Sequence, residues 1–268
     1  MAELRIGISG CAGRMGRMLV AEVAATAGCR LAGGVEGPKN AALGKDIGEL
    51  AGIGAVGLLA SSDVEALFKS ADVVIDFSTP EATIAHARLA AVAKKALVIG
   101  TTGLDAHSNE ALREAAKAAP ILSAPNMSLG VNLLLSLVEQ AAQRLGADYD
   151  IEILEMHHRH KVDAPSGTAL ALGKAAAAGR AIDLAASSQR VRDGITGPRK
   201  TGAIGFATLR GGDNPGEHRV IFAADGEQVE LGHRATSRRV FARGAVTAAQ
   251  WLAGKPPGLY GMKDVLGL

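Results

Sequence analysis

Leu4 to Ser9 is a short apolar run that ends in Gly10-Cys11-Ala12-Gly13-Arg14-Met15-Gly16, and Met15 to Ala27 then reads as a helix. A strand that enters a helix through glycines spaced G-x-x-G-x-x-G restricts the chain to few folds. Glycines at these points permit the tight turn. They also let backbone N–H groups approach a pyrophosphate at the positive end of the helix. The spacing departs by one residue from the usual first pair of glycines. Cys29 to Val35 reads as the next strand. Glu36 ends it, 20 residues after Gly16, where a carboxylate accepts hydrogen bonds from an adenosine ribose. The whole unit has the size of a parallel strand–helix–strand crossover.

The alternation continues. Asp63 to Ser70 reads as a helix, Asp72 to Asp76 as a strand buried on both faces, and Glu81 to Ala93 as a helix opened by Pro80. Ala96 to Ile99 is a strand, Leu104 to Ala118 a helix, and Ile121 to Ser123 a short strand. Strands alternating with helices predict an α/β fold, a Rossmann-type doubly wound parallel sheet. Phe77 to Pro80, Gly100 to Gly103 and Ala124 to Met127 each follow a strand, at the edge where ligands bind in such sheets. Their bland reading is as turns with helix caps, such as Thr79 and Ser128.

The pattern changes after Pro125. Ser128 to Leu145 reads as a long helix, Tyr149 to Met156 as a strand with Ile151 and Ile153 set against Glu152, Leu154 and Glu155, and Ala169 to Ala178 as a helix. Residues 183 to 202 are polar and glycine-rich, as expected of a loop or lid that could close over ligands. Gly205 to Leu209, Arg219 to Ala223 and Gln228 to Gly232 predict an antiparallel run in a mixed α+β second domain. Arg238 to Ala253 closes the chain as a helix returning to the first domain. The expected division is 1–127 with 239–268 as the dinucleotide-binding domain, and 128–238 as the substrate domain.

Composition narrows the function classes. Two cysteines, Cys11 and Cys29, exclude a disulfide framework. A net charge of +2 with 3% aromatic residues argues against a nucleic-acid partner. No apolar run reaches membrane-spanning length, and Met1 to Ser9 does not read as a signal peptide. The expectation is a cytoplasmic protein with no membrane partner.

The densest chemistry runs from Glu155 to Thr168 and holds three of the seven histidines, with Arg159 and Lys161. Ser166-Gly167-Thr168 at a helix start offers N–H groups and hydroxyls to an anion. Lys161 and the histidines add positive charge, which suits a small dicarboxylate. Two other readings stay open here, a metal site built on His157, His158 and His160, and a solvated basic loop. For the cofactor, Glu36 would repel a 2′-phosphate and Gly37 supplies no cation, although Lys39 and Arg14 are within reach. NADH is expected to serve at least as well as NADPH, and no metal is expected.

The run from Glu152 and Glu155 through His157-His158, Lys161 and Asp163-Ala164-Pro165-Ser166-Gly167-Thr168-Ala169 resembles the signature of the dihydrodipicolinate (4-hydroxy-tetrahydrodipicolinate) reductase family. Gly10 to Gly16, Gly100 to Gly103, Ala124 to Met127 and the stretch from Gly211-Gly212-Asp213 to Gly216-Glu217-His218 are similar to that family too. The resemblance implies reduction by NADH or NADPH of a cyclic imine dicarboxylate to tetrahydrodipicolinate, in lysine and diaminopimelate synthesis. It implies His157 as proton donor, with Lys161 also in proton transfer, and His158, Lys161, Ser166, Gly167 and Thr168 as substrate ligands. It implies that Gly10, Cys11, Ala12, Gly13, Arg14, Met15, Glu36, Gly100, Thr101, Thr102, Ala124, Pro125, Asn126 and Met127 hold the dinucleotide. A homotetramer formed through the second domain's sheet is implied as well, making that domain one of oligomerisation also. Gly37 departs from the basic residue common after the Glu36 position. Two other functions remain open: another two-domain nicotinamide-dependent dehydrogenase of a small acid, and a non-catalytic dinucleotide sensor.

Overall fold

The computed structural model describes residues 3–268. The chain forms two compact units, the residues up to Leu129 with Arg239–Leu268, and Gly130–Arg238. The first unit runs β1 (Leu4–Ser9), α1 (Arg14–Ala25), β2 (Cys29–Val35), α2 (Ile47–Ala51), β3 (Ala60–Ser61), α3 (Val64–Ser70), β4 (Val73–Asp76), α4 (Pro80–Ala93), β5 (Ala96–Ile99), α5 (Ala106–Ala116) and β6 (Pro120–Ser123). Next come α6 (Leu129–Leu145), β7 (Asp150–His157), α7 (Gly167–Gly179), α8 (Leu184–Ser187), β8 (Ser188–Gln189), β9 (Ile204–Arg210), β10 (Gly216–Ala224) and β11 (Glu227–Ala235). The chain then returns to the first unit with α9 (Arg239–Leu252), β12 (Gly258–Tyr260) and α10 (Met262–Leu266).

The seven strands of the first unit are parallel, in the order β12-β6-β5-β4-β1-β2-β3. The chain starts in mid-sheet, runs out to β3, and returns to β4 beside β1, which places the topological switch between β1 and β4. Both faces are covered, so successive strand residues go to different cores. Ile6, Ile8, Val73, Ile75 and Val98 pack with Leu19 and Val23 of α1 and Ala245 and Ala249 of α9. Val74, Leu97 and Ile99 pack with Phe68, Ala87 and Leu112. Burial on both faces is why these strands read as unbroken apolar runs.

Ladder bonds continue past the strand ends. Phe77 N–H donates to the Ser9 carbonyl (3.2 Å), Gly100 N–H to Asp76 (2.9 Å) and Ala124 N–H to Ile99 (3.1 Å). The three turns therefore lie side by side on one edge. Asp63, Thr79 and Asp105 are N-caps, each accepting a backbone N–H with its side chain, so α4 begins at Pro80 as expected, whereas α3 and α5 begin one and two residues after the limits that periodicity suggested. The stretch between β2 and β3 gave no sequence signal. It is organised by Asp46, whose carboxylate accepts from the N–H groups of Gly48, Glu49, Val56 and Gly57. The short β12 and α10 also gave none.

The second unit holds a five-stranded sheet in the order β11-β10-β7-β9-β8. β10 and β11 form the expected hairpin. β9 does not join it, which corrects the antiparallel run read from the sequence. β7 lies between them, antiparallel to β10 and parallel to β9. The chain leaves β7 through α7 before entering β9, and a helical crossover of this kind returns a strand parallel to the one it left. Residues 183–202 are also not loop throughout, because they include α8 and β8, which pairs with β9.

Along β7 the buried residues are Ile151, Ile153, Glu155 and His157. The first two pack with Leu134 and Val138 of α6 and Leu172 and Ala176 of α7. Glu155 and His157 continue that inward face. Setting Glu155 among the outward residues is therefore corrected.

A β-carbon at Gly16 would lie 1.9 Å from the Gly10 carbonyl oxygen. Gly16→Ala is expected to cost about 2–3 kcal/mol through forced separation of α1 from the turn. Urea unfolding reads this as a lowered midpoint, and an unchanged midpoint would contradict the close approach.

Candidate functional site

The turn after β1 is built from backbone. Gly10 has a φ of +76°, and its N–H donates to Val35 O (2.9 Å). A β-carbon on Gly10 would meet the Phe77 carbonyl at 2.6 Å, so this residue must be glycine for the switch-point turns to touch. Gly13 caps α1 with no side-chain hydrogen bond among the described residues, and Gly13 and Arg14 are exposed. The helix start is thus left open, the state in which a phosphate can take its N–H groups. Glu36 accepts Ala12 N–H on one oxygen (2.7 Å) and Asn40 Nδ2–H on the other (2.9 Å). A cleft of about 720 Å³ runs over Gly10, Gly13, Glu36, Lys39, Ser78 and His86. These residues fit a dinucleotide, with the glycine turn for its pyrophosphate and Glu36 beside the ribose position.

Other predicted cofactor residues divide into exposed and buried. The Cys11 side chain is buried, and burial, with Glu36 nearby, pushes its thiol up to about 11. Only its backbone is left for a ligand. Ala12 and Met15 are half-buried, and Thr102 and Pro125 are exposed. Gly100 lies under the Phe77 ring, which a β-carbon would strike at 2.1 Å. Thr101 is buried. Its hydroxyl accepts from Ser78 N–H (3.2 Å) and donates to Thr83 Oγ1 (2.9 Å), whose own proton goes to Asp76. Ala124 and Met127 are buried, and Asn126 Oδ1 accepts Ser128 N–H (2.9 Å).

Beneath the cleft lies a polar cluster that sequence reasoning missed. Fully buried Asp76 accepts Thr83 Oγ1–H (2.8 Å) on one oxygen, which also lies 3.1 Å from His86 Nδ1, and Ser78 N–H (3.1 Å) on the other. Its signal was the carboxylate that ends the apolar run Val73-Val74-Ile75 beside the switch point.

In the second unit the charged segment is organised around Glu155, 1% exposed. One oxygen lies 2.5 Å from His157 Nδ1 and accepts Arg210 Nη1–H (2.8 Å). The other accepts Arg210 Nη2–H (2.9 Å), Ser166 N–H (3.0 Å) and Thr208 Oγ1–H (3.3 Å). Burial pushes the Glu155 carboxyl up, but the hydrogen bonds from Arg210, His157 and Ser166 outweigh it and hold it below the usual carboxylate range. For His157, burial outweighs Glu155, and with Lys161 and Arg210 holds the imidazole below its ordinary value. A carboxylate can only accept, so a neutral His157 carries its proton on Nδ1. Its Nε2 makes no hydrogen bond among the described residues. Gly216, at φ +150°, clears that side, since a β-carbon there would lie 2.9 Å from Nε2.

Ser166 caps α7. Its buried hydroxyl accepts Ala169 N–H (3.1 Å) and lies 3.0 Å from His218 Nε2. Both of its polar groups are thus engaged within the protein. Gly167 is exposed with open space where a β-carbon would stand, beside half-buried Thr168. Lys161 Nζ pairs with Asp163 (2.7 Å). His158 Nε2 accepts from Arg238 (3.1 Å), and burial, then Arg238, holds this imidazole below its ordinary value. Its buried Nδ1 has no partner among the described residues. His160 is exposed. The His158 and His160 rings lie 6.2 Å apart by centroid, and among the described residues no group of side chains could hold a metal ion.

Glu155, Arg210, Gly216 and His218 were not among the residues assigned roles from sequence. Period two along Ile151, Ile153, Glu155 and His157 was the available signal for the first. His218 packs edge-on against His157, with ring centroids 5.0 Å apart.

A dinucleotide cradle on a parallel sheet, joined to a mixed-sheet unit bearing an imidazole and an open helix start, defines a two-unit dinucleotide-binding oxidoreductase. Family models for the N-terminus and C-terminus of dihydrodipicolinate reductase match residues 4–127 and 130–266. The chain belongs to the dihydrodipicolinate reductase family. It is 55% identical over 268 residues to the 4-hydroxy-tetrahydrodipicolinate reductase of Parvibaculum lavamentivorans, covering 100% of this chain and 99% of the relative. It is 56% identical over 262 residues to that of Brucella abortus, covering 97% and 98%. Its fold is similar to a dipicolinate-bound dihydrodipicolinate reductase from Paenisporosarcina sp. TG-14, with a TM-score of 0.78 and 23% identity over 98% of this chain and 99% of that one. No helix among the described residues is long and apolar enough to cross a membrane.

Burial lowers His218 from the ordinary 6.5 to about 4, with His157 adding to the effect. The unfolded chain takes up this proton first, so stability is complete above the unfolded value and is lost as pH falls toward the folded one. Between about pH 6.5 and 4 the loss from His218 amounts to roughly 3 kcal/mol. Urea unfolding of the parent chain and of His218→Gln at the two ends of that window is expected to show a steeper loss in the parent. Equal slopes would refute the neutral buried imidazole.

Proposed function

We propose that this chain converts 4-hydroxy-tetrahydrodipicolinate, a cyclic imine dicarboxylate, to tetrahydrodipicolinate with NADH or NADPH, the 4-hydroxyl leaving as water and the ring gaining one hydride and one proton, as a step of lysine and diaminopimelate synthesis. The observation that carries the reading is the single constellation of His157, Glu155 and the start of α7, an imidazole with a free Nε2 tied to an anion-binding helix start. The dinucleotide, held by Gly10 to Met15, Glu36, and the turns Gly100 to Thr102 and Ala124 to Met127, supplies a hydride when bound.

The chain's own residues do the rest. Gly167 and Thr168 offer N–H groups to a substrate carboxylate, and Ser166 holds that helix start in place. Lys161 is a second cation for the dianion, exchanging Asp163 for a substrate oxygen. His158, held by Arg238, is a further substrate ligand. His157, neutral in the free protein, becomes the imidazolium beside a dianion and delivers a proton from Nε2, while Lys161 assists the transfer. Bound anion therefore draws a proton onto the protein. Dipicolinate titrations at about pH 7.5 in buffers of different ionisation enthalpy are expected to show proton uptake that His157→Gln abolishes. Binding with no proton uptake would contradict this step.

Initial-rate kinetics with the synthesised imine test the activity itself. NADH is expected to serve at least as well as NADPH, because Glu36 borders the ribose position. Exposed Lys39 and Arg14, with no ion pair among the described residues, leave NADPH usable. A strong preference for NADPH would overturn the cofactor reading. His157→Gln is expected to lower kcat by about 100-fold or more with little change in KM. Lys161→Ala should raise KM and lower kcat. Unchanged kinetics in both would remove the site. The reading extends to a cytosolic homotetramer assembled through the second sheet. Free, buried Cys11 and Cys29 support a reducing compartment. Half-exposed Met156 and exposed Leu209 support a covered sheet face.

A further inference from the structure

We propose that Glu155 is the positioning residue of this site: one buried carboxylate fixes the tautomer of His157 and ties that imidazole to the start of α7, while Arg210 clamps both carboxylate oxygens in place. The proposal deepens the reading of His157 as proton donor and rests on it.

The geometry favours positioning over packing. A buried carboxylate needs a matched charge, and the bidentate Arg210 guanidinium supplies it. A purely structural ion pair would be complete at that point. Here the same two oxygens also take the Nδ1 side of His157 and the backbone N–H of Ser166, the residue that caps α7. Proton donor and anion site therefore share one anchor, and displacement of Glu155 moves both. With Nδ1–H held by the carboxylate, Nε2 is the nitrogen left to exchange the reacting proton. Arg210 is itself tied to the loop, donating to the Asp163 carbonyl (2.7 Å), so the loop carrying Lys161 is fixed from the same centre. The charged and titratable groups facing His157 are Glu155 on β7, Arg210 on β9, His218 on β10, and Lys161 with its partner Asp163 on the loop.

The test follows the His157 ring by NMR titration in the full chain, alongside imine kinetics. In Glu155→Gln the His157 midpoint is expected to move down, because its neighbouring anion is gone. Its kcat should fall at least about tenfold, with the imine KM within about threefold. In Arg210→Gln the midpoint should move up, because a neighbouring cation is gone. The opposite signs separate positioning from general loss of structure, and the second variant decides the matter if the first does not fold. An unshifted His157 titration, or parental kcat in Glu155→Gln, overturns the proposal. Failure of the donor reading looks different, because His157→Gln itself would then keep parental turnover.

Discussion

Burying a carboxylate on the apolar face of a sheet costs several kcal/mol unless its charge and lone pairs are matched. Glu155 meets that constraint with one guanidinium, one imidazole, one hydroxyl and one backbone N–H. Each partner is thereby fixed in turn. Arg210 must end β9 next to β7, which the parallel pairing of these strands provides. Ser166 must begin α7 where its N–H reaches the carboxylate, and His157 must sit on the inward side of β7. The polar end of the second unit follows from a single charge that cannot be left unpaired.

The first unit meets its own constraint in a parallel way. Its sheet switches direction between β1 and β4, and the turns that leave these strands touch through Gly10 and Phe77. Asp76, buried where β4 ends, receives Thr83, Ser78 N–H and His86 and so braces the turn from below. Each unit thus places a buried carboxylate beneath the backbone of its candidate ligand surface.

Most of the first unit was legible in the sequence because its strands are buried on both faces. Leu4–Ser9, Cys29–Val35 and Ala96–Ile99 stand out as apolar runs cut off by glycine or charge. The segment around Asp46 was not legible, since it is held by bonds from one side chain to four backbone N–H groups, and these leave no periodic trace. In the second unit the strands were visible but their order was not, because the parallel return of β9 depends on the crossover through α7. The candidate site was partly legible. The sequence singled out His157, Lys161 and the helix start, whereas Glu155 was set outward because charge was weighed above the strict alternation from Ile151. Ser166 was read as a ligand, and the structure shows it as the cap of α7.

The site depends on where one proton resides in the ground state. Neutron diffraction from deuterium-exchanged crystals grown near neutral pH locates it directly. A deuteron on His157 Nδ1, with both Glu155 oxygens bare, is the predicted result. A deuteron on the Glu155 carboxyl, or a His157 ring carrying its only deuteron on Nε2, would contradict it.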